Sequence, residues 1–414
     1  MNDLKIIGPF QTLIPLSGLS MRGPLKDAEL QPLKNVGIVI KGGKILMIGQ
    51  FSKCIDQFRS QNPSIEKIEE EVIGLPGFID AHTHICFAGS RAKDFAMRNA
   101  GATYLEIAKS GGGIWDTVQK TRAATLEDLV TGISRRAKIH FAKGVTTIEV
   151  KSGYGLSVEE ELKMLKAIHA CNEKLDIDLI PTCLAAHIFP RDYDGNIFDY
   201  IAEISANLLP VLKTENLAQR IDAFIEEEAF NAANITPYFN KAKELNLDIV
   251  VHADQFSPGG SELAVEFGAL SADHLESSAE REIIMLAKSD VVATALPGAS
   301  IGLGVPFTPC RKILDHGGIL CIASDWNPGS APMGDLLTQA SILATYEHLT
   351  NAEVFAGLTF RAAKALNLKD RGTLEQNKWA DIIAFPGNDF REILYHQGQL
   401  KPSIVWKKGK IIKN

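Results

Sequence analysis

The sequence predicts an α/β fold, a TIM-like (β/α)8 barrel with a small β-sandwich domain built from both termini. Eight short apolar runs alternate with helical patterns through the middle of the chain, and strand-rich segments stand at both ends. Several of these apolar runs end in a histidine or another polar residue, which is typical of the carboxyl ends of strands in barrel enzymes. The predicted boundaries are 1–75 plus 371–414 for the sandwich and 76–370 for the barrel.

Hairpin signals at the two ends predict the composite β domain. Residues 35–49 turn at Gly42-Gly43, and residues 379–385 and 403–412 flank a second turn. Two unrelated β appendages are the alternative, but they would leave more edge strands uncovered.

The barrel prediction rests on eight candidate strands. They are residues 75–84, 144–150, 178–184, 221–225, 248–252, 269–274, 291–295 and 318–325. Helical patterns lie between them, for instance over 157–169, where Ser157 and Glu160 predict a capping box. Eight βα units over this length are typical of a barrel with insertions.

Composition excludes several classes of function. The net charge of −7 argues against a nucleic-acid or anionic-membrane surface, and no apolar segment is long enough to span a bilayer. The first residues lack the profile of a signal peptide, and the six scattered cysteines indicate free thiols in a reducing compartment. The sequence therefore predicts a cytoplasmic protein with no nucleic-acid or membrane partner.

The first candidate strand ends in a histidine pair, His82 and His84. On a strand, the i, i+2 spacing puts both imidazoles on one face, where they can bind one metal ion. Such a pair is as readily explained by two unrelated core or surface histidines. The interpretation therefore depends on ligands from other strands.

Later apolar runs supply such ligands, because each of three runs ends in a residue that can bind a metal: His252, His274 and Asp325. A single histidine after a strand is more often structural. Four histidines and an aspartate at the strand ends of one barrel are hard to explain in that way. We expect His82, His84, His252 and Asp325 to hold a divalent cation in a mixed N/O shell with room for water.

The chemistry of such a shell is hydrolytic. A divalent cation lowers the pKa of bound water from about 15.7 towards about 7. Asp325 would both bind the metal and accept a proton from the water. His274 would polarise the substrate carbonyl or stabilise the oxyanion.

This arrangement resembles the amidohydrolase superfamily, and most closely its hydrolases that open the imidazolone ring in histidine breakdown. The residues that carry the resemblance are 80–91 (DAHTHICFAGSR), 111–114 (GGGI), 149–156 (EVKSGYGL), 186–190 (AHIFP), 251–255 (VHADQ) and 324–330 (SDWNPGS). The resemblance implies hydrolysis of 4-imidazolone-5-propanoate to N-formimidoyl-L-glutamate with one zinc or iron ion. It also implies a homodimer. The fourth strand has no lysine to bridge two metals, which favours a mononuclear site.

The resemblance also assigns residues by position. Those that match metal ligands are His82, His84, His252 and Asp325, and those that match substrate contacts are Arg91, Tyr154, His187, Gln255, Asn327, Gly329 and Ser330.

Chemical roles follow for several of these residues. Arg91 would bind the propanoate carboxylate through two hydrogen bonds. The alternative is that Arg91 is a solvated charge in a surface loop. Tyr154, in an apparently exposed Gly153–Gly155 loop, would add a donor, and Tyr104 is a second candidate donor. His187 would share the oxyanion role with His274.

Two departures from the family pattern concern acidic positions. Gln255 stands where a glutamate can stand, and it is expected to read the ring nitrogens, since glutamine cannot act as a base. Glu226 could point inward beneath the metal.

Two other functions stay open. A different cyclic amidase or an aromatic-base deaminase could use the same ligands, although a neutral base offers Arg91 no partner. A non-catalytic barrel scaffold is the more distant alternative, but it would be expected to have lost ligands.

Overall fold

The computed structural model describes residues 3–227 and 229–412, without the side chains of 104, 105 and 108, so the predicted donor role of Tyr104 lies outside the described residues. The strands are β1 (Leu4–Leu13), β2 (Leu33–Lys41), β3 (Lys44–Gln50), β4 (Ser64–Lys67), β5 (Val72–Pro76), β6 (Phe78–Asp80), β7 (Val145–Lys151), β8 (Asp178–Ala186), β9 (Arg220–Phe224), β10 (Asp248–Ala253), β11 (Ser271–His274), β12 (Val292–Ala295), β13 (Ile319–Ile322), β14 (Ile382–Pro386), β15 (Ile404–Lys407) and β16 (Lys410–Ile411).

Helices alternate with the central strands. They are α1 (Phe51–Phe58), α2 (Ala92–Asn99), α3 (Tyr104–Lys109), α4 (Ile114–Ala123), α5 (Leu126–Phe141), α6 (Val158–Lys174), α7 (Ile197–Glu203), α8 (Leu209–Thr214), α9 (Ala232–Glu244), α10 (Gly260–Glu266), α11 (Glu280–Lys288), α12 (Pro297–Leu303), α13 (Cys310–Asp315), α14 (Leu336–Tyr346), α15 (Asn351–Gly357), α16 (Phe360–Ala365) and α17 (Arg391–Tyr395). None of the described helices is long and apolar enough to cross a bilayer.

Strands β6 to β13 form one parallel sheet in sequential order, which confirms the predicted barrel. The barrel closes beyond the strand ends. There the Asp325 amide donates to the His82 carbonyl (3.0 Å) and the His84 amide donates to the Trp326 carbonyl (3.0 Å). We call this contact between 82–84 and 325–326 the barrel seam. It brings the first and last candidate ligands side by side.

The remaining strands form a second, largely antiparallel sheet from both termini, in the order β16-β15-β14-β5-β1-β2-β3, with β4 beside β1. The predicted hairpin at Gly42-Gly43 joins β2 to β3, and both glycines have positive φ. Phe10 and Trp406, from opposite ends of the chain, meet edge to face in its core. The exact domain boundaries stay a prediction.

A partly buried ion cluster joins the two sheets. Asp178, the first residue of β8, accepts from Arg371, and it lies 2.9 Å from Lys407 Nζ and 3.0 Å from Lys408 Nζ. The three cations belong to the C-terminal part of the chain. This cluster therefore fixes the bottom of the barrel against the terminal sheet.

The predicted helix at 157–169 is α6, which extends to Lys174. Ser157 is its N-cap and accepts from the Glu160 amide (3.3 Å). The second half of the capping box does not form, because the Glu160 carboxylate pairs with Lys163 instead.

Candidate active site

Three imidazoles from two strands converge at the carboxyl end of the barrel. His82 Nε2 lies 3.2 Å from His84 Nε2, which in turn lies 3.3 Å from His252 Nε2. Asp325 Oδ1 lies 3.4 Å from His84 Nε2 and 3.5 Å from His82 Nε2. The histidine pair lies just beyond β6 rather than within it, yet both rings still point to one side.

These separations fit a bound divalent cation. Bonds of about 2.0–2.1 Å to a tetrahedral metal put neighbouring ligand atoms about 3.3–3.4 Å apart. Asp325 Oδ1 is buried and has no hydrogen-bond partner among the described residues. Imidazole lone pairs and a carboxylate oxygen repel one another at this range unless a cation lies between them. The donor set therefore fits the group that the sequence predicts.

Two buried carboxylates orient the ligand imidazoles from behind. Asp273 Oδ2 lies 2.6 Å from His82 Nδ1, and Asp222 Oδ2 lies 2.9 Å from His252 Nδ1. Because a carboxylate accepts, it holds the proton on Nδ1 and leaves the Nε2 lone pair to face the centre.

The pKa values of the histidines and of Asp325 are shifted in different directions by their surroundings. Burial and Lys151 lower the pKa of His82, but Asp273 and Asp325 outweigh them and raise it to about 9, so a metal ion that binds the Nε2 lone pair would displace a proton from this ring. Burial lowers the pKa of His84 to about 3. Burial raises the pKa of Asp325, but the two imidazoles outweigh it and hold this pKa well below its usual value. The aspartate is therefore an ionised acceptor beside the cluster.

The loop after β13 holds Asp325 in place. Asn327 Nδ2 donates to the Asp325 backbone oxygen (2.8 Å) and to its Oδ2 (2.9 Å), while Asn327 Oδ1 accepts from the amides of Gly329 (2.7 Å) and Ser330 (2.8 Å). Asp325 itself has a left-handed φ of 51°. The Asn327 amide is thus committed to the loop. It positions Asp325, and the substrate contact that the resemblance implies for Asn327 stays a prediction.

His274 ends β11 beside the cluster, with its ring 5.4 Å from that of His252. Its φ of 85° is rare for a side chain that is not glycine. Thr308 Oγ1 donates to its backbone oxygen, and Glu276 Oε1 lies 3.4 Å from its Nδ1. The strained backbone and these two contacts hold His274 beside the histidine cluster.

His187, just after β8, stacks on His84 with ring centroids 5.5 Å apart. Its Nδ1 donates to the Gly153 carbonyl (2.9 Å), and burial lowers its pKa to about 4. A neutral ring with its proton on Nδ1 can only accept at Nε2. This geometry argues against the oxyanion-donor role expected from the sequence.

The loop of Tyr154 is buried, not exposed as the glycine pattern predicts, and the Tyr154 side chain is 4% exposed. Glu161 on α6 accepts from the amides of Gly153 (2.9 Å), Gly155 (2.7 Å) and Leu156 (2.8 Å). The Tyr154 ring lies 6.0 Å from that of His84, and burial raises its pKa, so the hydroxyl keeps its proton.

Arg91 precedes α2 and lies against the loop after β13. A Cβ on Gly329 would come 2.5 Å from Arg91 Nη1. Its Nε donates to Asp94 (2.8 Å), which also accepts from the Gly113 amide (2.8 Å). A Cβ on Gly112 would meet Asp94 at 2.4 Å, while Gly111 and Gly113 have positive φ values that favour glycine. Among the described residues, no hydrogen bond engages either Nη group of Arg91.

Gln255 and Glu226 lie on the rim of the site. Glu226 accepts from the amides of Phe256 (2.8 Å) and Ser257 (3.3 Å), so it ties down the loop after β10 and does not lie beneath the metal ligands. Within the described part of the chain, no hydrogen bond joins the Gln255 side chain to the histidine cluster. Its substrate contact stays a prediction.

Sequence reasoning missed the buried charges beneath the cluster. Lys151, Glu149, Asp222 and Asp273 are all at most 1% exposed. The signal was present in β7, where Glu149 and Lys151 are charged residues on the same side of a strand whose other residues are apolar or threonine. Lys151 Nζ lies 2.8 Å from Glu149 and 2.7 Å from Asp222.

Comparisons with known proteins agree with this architecture. The sequence profile of the amidohydrolase family matches residues 73–412. An imidazolonepropionase of Bdellovibrio bacteriovorus is 38% identical over 96% of this chain and 94% of its own length. An imidazolonepropionase of Acinetobacter baumannii is 42% identical over 93% of this chain and 96% of its own length.

The fold is also shared with a more distant solved structure. An adenosine deaminase from Xanthomonas campestris, with bound zinc, superposes with a TM-score of 0.70 at 16% identity, covering 99% of this chain and 92% of that one. That likeness extends to the barrel and the terminal sheet. With relatives matched nearly end to end, this chain belongs to the imidazolonepropionase family of amidohydrolases.

Proposed function

We propose that the protein hydrolyses 4-imidazolone-5-propanoate to N-formimidoyl-L-glutamate, using one divalent metal ion, zinc or iron. The observation that carries the proposal is the convergence of three imidazoles and one carboxylate, with the Tyr154 ring beside them and Arg91 against the loop after β13. Relatives named imidazolonepropionase at 38–42% identity support this substrate.

The metal would be held by His82, His84, His252 and Asp325. When bound, a divalent cation supplies Lewis acidity to the substrate carbonyl and lowers the pKa of water. A single ion fits the chain better than two. Strand β9 contains no lysine that could bridge two metals, and the Lys151 ammonium is already surrounded by carboxylates.

Asp325 moves the proton in this scheme. Water adds to the lactam carbonyl carbon, and Asp325 accepts the proton that the water gives up. The C–N bond of the ring then breaks, and Asp325 returns the proton to the departing nitrogen. His274, held by Glu276 and its strained backbone, stabilises the oxygen that becomes negative.

The substrate is oriented by groups at the mouth of the barrel. Arg91 binds the propanoate through its two Nη groups, and the protonated Tyr154 hydroxyl donates beside it. His187 accepts from a ring N–H through Nε2. Gln255, the backbone of Gly329 and the Ser330 hydroxyl complete the contacts that the family resemblance implies.

Turnover of the purified protein tests the proposal. We expect hydrolysis of 4-imidazolone-5-propanoate, loss of activity with a chelator and recovery with Zn²⁺ or Fe²⁺. Turnover of guanine, cytosine or a hydantoin instead would favour a deaminase or another cyclic amidase. Less than about 0.2 equivalents of zinc plus iron in protein never exposed to chelator would favour the scaffold alternative.

The homodimer implied by the family resemblance and the cytoplasmic location predicted from the cysteines and the first residues also stay proposals. Sedimentation velocity and cell fractionation test them directly.

A further inference from the structure

Lys151, at the end of β7, places a single ammonium group beneath the three imidazoles. Its side chain is fully buried. Its Nζ lies 2.8 Å from Glu149 Oε1, 2.7 Å from Asp222 Oδ2 and 3.8 Å from Asp273 Oδ2. The three carboxylates come from β7, β9 and β11, so this group touches strands that are not neighbours in the sheet.

Each of these carboxylates leads to a candidate metal ligand. Asp222 Oδ2 faces His252 Nδ1 at 2.9 Å, and Asp273 Oδ2 faces His82 Nδ1 at 2.6 Å. Glu149 Oε2 accepts from the amide of Thr83 (3.1 Å), the residue between His82 and His84. Every histidine segment of the centre is therefore one carboxylate away from Lys151.

Charge explains why the ammonium is needed there. Three carboxylates buried this closely repel one another, and leaving them unpaired would carry a large desolvation cost. Burial disfavours the ammonium, but Asp222, Glu149 and Asp273 outweigh it and raise the pKa of Lys151. The lysine stays charged, and it is not available as a neutral amine.

We propose that Lys151 is the positioning residue of the metal centre, holding Asp222, Asp273 and Glu149 at the separations that aim His252, His82 and the Thr83 amide. The inference rests on the metal centre of the proposed function. A lysine with only a packing role would affect stability but not the affinity for metal.

Zinc affinity of the purified protein, measured by competition with a chromophoric chelator, tests this role. We expect Lys151→Met to raise the zinc dissociation constant by about tenfold or more, the usual effect of losing a group behind a ligand. The visible absorption of the Co²⁺-substituted protein should change with it, because the ligand geometry changes. Lys407→Met is the matched control. Lys407 is also a buried lysine between two carboxylates, Asp178 and Asp381, but it lies in the terminal sheet.

A charge-balanced variant covers the case in which Lys151→Met does not fold. The double variant Lys151→Met, Glu149→Gln removes one cation and one anion together, so the buried net charge is unchanged. We expect weaker zinc binding and an altered Co²⁺ spectrum here too. Variants that fold and bind zinc within less than about tenfold of the wild type, with its Co²⁺ spectrum, overturn the role of Lys151. A wild-type protein that binds neither zinc nor iron overturns the proposed metal centre itself.

Discussion

Asp325 Oδ1 lies 3.4 Å from His84 Nε2 across the barrel seam, although one residue follows the last barrel strand and the other follows the first. Backbone hydrogen bonds fix the distance, since the Asp325 amide donates to His82 and the His84 amide donates to Trp326. The closure of the barrel thus creates the proposed site.

Asp325→Asn tests the proton-transfer step. The asparagine preserves the shape but cannot accept a proton, so we expect kcat to fall by about 10²–10⁴-fold. Steady-state kinetics with matched metal content measure the effect. Asp290→Asn, at an exposed surface pair with Arg22, is the control and should keep full activity. A near-normal kcat in Asp325→Asn would contradict the role of this aspartate.

Gly329→Ala tests the binding of the propanoate. The new Cβ would lie 2.5 Å from Arg91 Nη1, the flexible end of a side chain, so the guanidinium moves while the fold tolerates the change. Loss of a charge-assisted hydrogen bond should raise KM by about tenfold, with a smaller change in kcat. Gly49→Ala, whose Cβ meets Cys54 Sγ at an ordinary 3.5 Å, should leave KM unchanged. An unaltered KM in Gly329→Ala would remove Arg91 from the proposed binding site.

Glu161→Gln tests how the Tyr154 loop is held. An amide nitrogen would face backbone N–H groups that now donate to the carboxylate, leaving donors unpaired. We expect a loss of about 2 kcal/mol in the free energy of unfolding. With Tyr154 displaced, kcat/KM should fall by about 10- to 100-fold. Urea unfolding and kinetics measure both, with the exposed Glu159→Gln on the same helix as control. Wild-type values for both quantities would show that the loop does not depend on this carboxylate.

Asp178→Asn tests the cluster that joins the two sheets, and its effect depends on pH. Burial raises the pKa of Asp178, but Lys407 and Arg371 outweigh it and hold this pKa below its usual value. A lowered folded-state pKa adds stability that is fully present above the unfolded pKa and is lost as pH falls towards the folded one.

We therefore expect Asp178→Asn to cost about 3 kcal/mol at neutral pH and progressively less below about pH 4. Urea unfolding between about pH 7 and about pH 3 measures this trend. Asp56→Asn, which breaks an exposed pair with Arg59, should cost less than about 0.5 kcal/mol at any pH. A cost for Asp178→Asn that does not vary with pH would rule out the charge as its cause.

Local patterns predicted the barrel and the candidate ligands because both are periodic features. An apolar run that ends in a polar residue marks the carboxyl end of a strand, and parallel strands gather those ends at one face. The strand bounds differ where a residue leaves the extended conformation. β13 ends at Ile322, before the predicted 325, and Asp325 takes a left-handed φ.

Contacts between side chains that are far apart in the chain could not be predicted from the sequence. Asp222 and Asp273 lie on different strands, and only the closed barrel places both against Lys151. The Tyr154 loop looked exposed because glycines flank it. The carboxylate that buries it, Glu161, is contributed by the helix that follows. The resemblance assigns Asn327 to the substrate, but no local pattern reveals that both ends of its amide also bond within the loop.

The barrel seam has a consequence for how the protein loses its structure. A cation held by His82, His84 and Asp325 would cross-link the segments that follow the first and last strands of the barrel. Because such a site exists only in the folded chain, the cation would stabilise the folded state. Removal of the ion should therefore destabilise the barrel first at the barrel seam. Backbone amides near Thr83 and Trp326 would then exchange with deuterium sooner than those in β9 and β10.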